Sequence, residues 1–123
     1  MTSQTTLLSD AISALQKNEF VKAERLFRTV LHDQPANIAA LNLLTIVLMS
    51  MERFSDAEPF IAKAVQINPN SDVSFYNYGL ISKQLHKWQQ ALDQFNNALK
   101  LNPNVPETWN NRGTIFNFLK RAT

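Results

Sequence analysis

The stretch FYNYGLISKQLHKWQQALDQFNNALKLNPN, residues 75–104, decides the fold. Phe75, Tyr78, Leu80, Ile81 and Leu85 recur at the period of a helix, and so do Ala91, Phe95, Ala98 and Leu99. HKW at 86–88 separates the two patterns, which predicts one helix over 72–85 and a second over 89–102. Pro103 ends the second helix, because proline disfavours helical geometry in the residue before it and has no amide to continue the ladder.

Outward from this pair, its landmarks repeat every 34 residues. The prolines are Pro35, Pro69 and Pro103, within DQPA (33–36), INPN (67–70) and LNPN (101–104). Ala23, Ala57 and Ala91 share the interval, as do Phe20, Phe54 and Trp88, and Leu7, Leu41, Phe75 and Trp109. A fixed period of this length marks a solenoid, whose units bury their apolar faces only by stacking. The copies run over residues 4–37, 38–71 and 72–105, with a partial fourth at 106–123. At 123 residues the chain reads as one domain, 1–123.

Ser71 and Asp72 are placed to cap the helix that follows Pro69, and Pro106 suits a first helical position. Pro59 follows Ser55 and Glu58, which are spaced like a capping box. This spacing predicts a helix that begins there, with Pro59 in its first turn.

Small residues recur where helices must approach closely: Ala23, Ala57 and Ala91 in the second helix, and Ala11, Gly79 and Gly113 in the first, with Thr45 in the second copy. Phe27, Ile61 and Phe95 supply bulk four residues after each alanine.

Two glycines and periodic prolines argue for helices over many-turned β-structure. The absence of cysteine excludes a disulfide framework and a thiolate site. Residues 1–20 lack a basic leader and an unbroken apolar run, and no stretch has the length to span a bilayer; the expectation is a soluble, cytoplasmic protein with no membrane partner. A net charge of +2 implies no polyelectrolyte. Lys83, Lys87, Lys100, Arg112, Lys120 and Arg121 make the C-terminal third mildly basic, but a nucleic-acid stripe would be denser.

Catalytic signatures are missing. His32 and His86 lack metal-ligand spacing to Asp or Glu, and no Gly-rich phosphate loop, GxSxG or HExxH occurs. Met49 and Met51 read as filler. No enzyme activity, metal or cofactor is expected of this segment.

These positions resemble the tetratricopeptide repeat (TPR) pattern, W-x2-L-G-x2-Y, then A-x3-F, then proline. FYNYG (75–79) and WNNRG (109–113) are similar to its first helix, and ALDQF (91–95), AVQINP (64–69) and ALKLNP (98–103) to its second. Thr45, Asp10, Arg112 and Ser82 depart from it. The resemblance implies an all-α, right-handed superhelix: an α-α solenoid of three complete helix pairs plus the first helix of a fourth. It also implies a concave face, lined by first helices, that binds a protein or extended peptide.

Carried onto this sequence, the groove positions are Leu8, Ser9, Ile12 and Leu15, then Asn42, Leu43, Ile46 and Met49. The third copy gives Tyr76, Asn77, Leu80, Lys83 and Gln84, and the fourth Asn110, Asn111, Thr114 and Asn117. Asn77 and Asn111 share one repeat position, and an amide can bracket a peptide group with both donor and acceptor; the alternative is that these amides only solvate a helix face. NNRG with LKR is similar to repeats of bacterial O-GlcNAc-transferase-like proteins. That likeness implies a second use, as the N-terminal substrate-selecting arm of a larger enzyme, possibly an O-GlcNAc-type glycosyltransferase. The clamp that grips heat-shock chaperone tails is not matched, because Leu8, Ile12, Leu43, Val73 and Asn77 stand at its positions and only Asn77 could take part.

The sequence stops before the second helix of the fourth copy, which leaves Ile115, Phe116, Phe118 and Leu119 without their expected partner. Either a longer array continues, or another molecule covers helix 106–120. Self-association through that helix is the third expected use.

Overall fold

In the computed structural model, which describes residues 3–122, seven α-helices pack in sequence as antiparallel pairs. They are α1 (Gln4–Gln16), α2 (Phe20–Asp33), α3 (Ile38–Ser50), α4 (Phe54–Ile67), α5 (Asp72–Gln84), α6 (Trp88–Leu101) and α7 (Pro106–Ala122). The first helices start at 4, 38, 72 and 106 and the second at 20, 54 and 88, so the sequence period is the period of the structure.

Local chemistry sets those starts. Ser3, Asn37 and Ser71 are the N-caps of α1, α3 and α5, and their side chains accept from the backbone N–H groups of Thr6, Ala40 and Ser74 at 3.1, 3.0 and 3.2 Å. Each satisfies a donor that the helix itself cannot pair. The fourth first helix instead opens with Pro106, whose missing N–H costs nothing at that position.

The turn inside each pair is also a repeated device. Asn18, Glu52 and His86 adopt positive φ of 59°, 58° and 59°. The next residue's N–H then reaches back to the carbonyl five residues before it: Glu19 to Ala14, Arg53 to Leu48 and Lys87 to Ser82, at 2.8, 2.8 and 2.9 Å. This is a Schellman closure. It fixes the second helix to begin two residues beyond the positive-φ position, so Trp88 opens α6 and is not part of the turn. The same rule overrides the capping-box reading of Ser55 and Glu58. α4 begins at Phe54, which places Pro59 sixth in the helix, past the first turn.

The chain divides into two compact units, one ending at Ile67 and one beginning at Asn68. In the first, Ala23, Phe27 and Val30 of α2, Leu41, Leu44, Val47 and Leu48 of α3, and Ala57 and Ile61 of α4 are buried. A fully buried side chain such as Phe27 contributes roughly 2–3 kcal/mol by apolar burial. Glu24 of α2 accepts from Arg53 at 2.6 Å and Arg28 at 3.0 Å, which ties the first helix pair to the second. Arg53 also bonds Asp56 at 2.9 Å.

In the second unit, Ala91, Phe95 and Ile115 form a core cluster, with Tyr76, Leu80, Trp88, Leu92 and Leu119 packed against it. Phe118 stacks on Trp88 with centroids 4.6 Å apart. Ile115, Phe118 and Leu119 therefore have α6 as their partner, contrary to the sequence expectation. A helix has room for only one inward face, and theirs turns to α6. Phe116 lies elsewhere on α7 and is 51% exposed.

Candidate functional site

The positions expected to form a groove lie on α1 and α3 in the first unit and on α5 and α7 in the second. On α1, Leu8 and Ile12 stand one turn apart, which puts them on one face, and both are half-buried. On α3, Asn42, Leu43 and Met49 are half-buried and Ile46 is 37% exposed. The neighbouring Leu41, Leu44, Val47 and Leu48 face the core. α3 is thus apolar on both sides, and its second apolar face is only partly covered.

In the second unit the structure draws three of the expected residues into contact. Lys83 Nζ of α5 donates to Asn111 Oδ1 of α7 at 3.0 Å. Asn111 Nδ2 donates to the Tyr76 hydroxyl at 3.2 Å and to the Glu107 carbonyl at 3.0 Å. The Tyr76 ring rests on Phe95 with centroids 5.9 Å apart, so the patch is seated on the core. No ion pair among the described residues includes Lys83.

The remaining positions are not gathered in. Asn77 is half-buried beside this network and takes no part in it. Gln84, Asn110 and Thr114 are exposed, and Thr114 donates back to the Asn110 carbonyl at 3.1 Å. Leu80 packs inward against the core cluster.

Glu24 is a perturbed carboxylate. Burial pushes its pKa up, but hydrogen bonds from Arg53 and Arg28, and their positive charges, outweigh that and hold it below the ordinary value. Among the described residues, no three His, Asp or Glu side chains gather where they could hold a metal ion. Within the same residues, no helix is long and apolar enough to cross a membrane.

One surface was not anticipated from the sequence. Asn96, Leu99, Lys100 and Pro103, with Trp109 and Arg112 of α7, line an open groove of about 440 Å³. Trp109 is 48% exposed, with its indole N–H on the Pro103 carbonyl at 2.8 Å. Arg112 lies over the rings of Trp109 and Phe116 and bonds Asn96 Oδ1 at 2.6 Å. The 109, 112, 116 spacing carried the signal, since those residues share one side of a helix.

Helix pairs of this geometry at a 34-residue spacing define a TPR-like helical-repeat protein. The chain belongs to the family described as the TT21 fifth ARM repeats domain, whose model matches residues 3–111. Its fold is similar to that of the MamA protein, with a TM-score of 0.92 and 22% identity over 94% of this chain; the chain spans 63% of the MamA chain. The first TPR of Spaghetti (RPAP3), solved with the HSP90 peptide SRMEEVD, gives a TM-score of 0.88 at 19% identity, covering 95% of this chain and 93% of that one. The Sgt2 TPR domain from Aspergillus fumigatus gives 0.83 at 17% identity, covering 97% and 80%. No curated protein matches the sequence.

Proposed function

We propose that this domain is a non-catalytic protein-binding scaffold that receives an extended peptide on the faces of its first helices. The observation that carries this reading is the patch of Lys83, Asn111 and Tyr76, where a lysine with no ion-pair partner among the described residues meets an amide and a hydroxyl from the next first helix. Such a patch suits peptide carbonyls or a carboxylate. The partly covered Leu8, Ile12, Leu43, Ile46 and Met49 suit apolar side chains. The structural likeness to RPAP3, a domain solved with a peptide bound, supports the same class of ligand. Its particular chaperone tail is not our reading, because the exposed apolar Val73 and the apolar Leu8, Ile12 and Leu43 stand at the clamp positions.

The test is selection from a displayed library of random peptides by the native domain, by Lys83→Ala and by Ile46→Asp, each checked for an unchanged thermal melt. A consensus selected by the native domain and lost in either variant is the expected result. No enrichment, or a consensus indifferent to both substitutions, rejects the reading.

A further inference from the structure

Residues that the repeat needs return every 34 positions, and one face of α2 breaks that rule. Val21, Arg25, Arg28 and His32 lie on successive turns of α2 and so share a side. With Glu24 and Thr29 they line an open groove of about 610 Å³. The positions that match Arg25, Arg28 and His32 are Pro59, Ala62 and Gln66 in α4, and Asp93, Asn96 and Lys100 in α6. The packing of a helix pair therefore does not call for these cations. Glu24 is the one carboxylate of the lining, and both of its oxygens are taken, Oε2 by Arg28 at 3.0 Å and Oε1 by Arg53 at 2.6 Å. Arg28 also lies over the Phe60 ring of α4, 5.2 Å from its centroid. A guanidinium held on one edge by a carboxylate and on its face by a ring is pre-organised to take a second carboxylate on its other edge. Arg25 and His32 are exposed and, among the described residues, have no ion-pair partner. Val21, 78% exposed, gives the groove an apolar end.

We propose that this groove on α2 is a docking site, separate from the faces of the first helices, for an extended acidic segment of a partner protein in the order apolar-x-acid-x-acid. Charge complementarity selects the occupant, because two guanidiniums and an imidazole meet no uncommitted carboxylate in the lining. Helix geometry selects the spacing. Along the axis of α2, Arg25 stands about 6 Å from Val21, and the midpoint of Arg28 and His32 about 14 Å from it. In an extended chain, side chains two and four residues on project to the same side about 7 and 14 Å away. The apolar residue then meets Val21, the first acid Arg25, and the second the Arg28 and His32 pair.

The probe is a capped synthetic peptide, SLSESES, whose binding to the whole chain is followed by fluorescence anisotropy. The expected result is saturable binding at low salt that weakens as salt rises. Replacing both glutamates of the peptide by glutamine should weaken it at least tenfold, and replacing its leucine by serine should weaken it further. Arg25→Glu in the protein should also cost at least tenfold with an unchanged thermal melt, because Arg25 is exposed and stands outside the ion pairs of the fold.

Absence of binding up to about 1 mM overturns the proposal, as does binding indifferent to Arg25→Glu or to either change in the peptide. Binding lost in Lys83→Ala and kept in Arg25→Glu assigns the peptide to the first-helix face and overturns it too. Sedimentation separates the other occupants. Capture of the chain by phosphatidylserine vesicles without peptide binding, abolished by Arg25→Glu, assigns the groove to an anionic membrane surface. A dimer that Arg25→Glu dissociates assigns it to a second copy. Either result overturns the proposal.

Discussion

Gly79 and Gly113 occupy one place in the repeat and have opposite surroundings, so one substitution should act in opposite directions. Gly79→Ala drives a methyl group to 2.5 Å from Cε1 of Phe95, a fully buried ring that cannot move aside. Overpacking of this kind costs roughly 1–3 kcal/mol, and the helical gain of alanine over glycine, about 1 kcal/mol, offsets only part of it. Gly113→Ala keeps the gain and meets nothing. Urea denaturation should therefore show net destabilisation at 79 and stabilisation of about 0.5–1 kcal/mol at 113. Two changes of the same sign would contradict this contrast. The sequence period revealed that a small residue is needed at this position. It could not reveal whether a neighbour fills the space there, because that depends on the helix packed across it.

Among the helices, those that begin after a cap were legible and those that begin after a turn were less so. Ser71 was readable because its side chain does the capping. The starts of α4 and α6 are set instead by a backbone bend at Glu52 and His86, residue types that carry no signal for positive φ. Hence the misplacement of Trp88 and Pro59. Pro59 now stands, exposed, where its N–H would have paired with the Ser55 carbonyl. Pro59→Ala should stabilise α4 by up to about 3 kcal/mol, read as a rise in melting temperature. A lower melting temperature would show that the ring is packed. The same limit applied to the candidate site. The repeat resemblance named Tyr76, Lys83 and Asn111 as groove residues, but their hydrogen bonds depend on how α5 and α7 cross.

Across the whole molecule, charge is unevenly distributed. An ion-pair network in the first unit joins Glu24, Arg28, Arg53 and Asp56. Both tryptophans lie in the second. A carboxylate whose pKa is lowered by folding stabilises the fold above its unfolded value, ordinarily about 4.5, and loses that contribution as pH falls through the lowered folded value. Glu24 follows this sign, so acid should weaken the first unit more than the second. Urea unfolding at pH 7 and pH 3 tests it. Circular dichroism sees both units and tryptophan fluorescence only the second, so the dichroism midpoint should fall ahead of the fluorescence midpoint at pH 3. An unchanged separation between the probes at the two pH values would refute the assignment.

Asn111 already uses both ends of its amide inside the protein: the oxygen on Lys83, the nitrogen on Tyr76 and the Glu107 carbonyl. A peptide carbonyl that engages the nitrogen of this amide must displace one of its two internal bonds, so recognition there is an exchange in which the domain competes with its own ligand. Affinity is then set as much by the tightness of the internal contacts as by the incoming chain. Loosening the host at Tyr76 becomes a way to strengthen its grip on the guest.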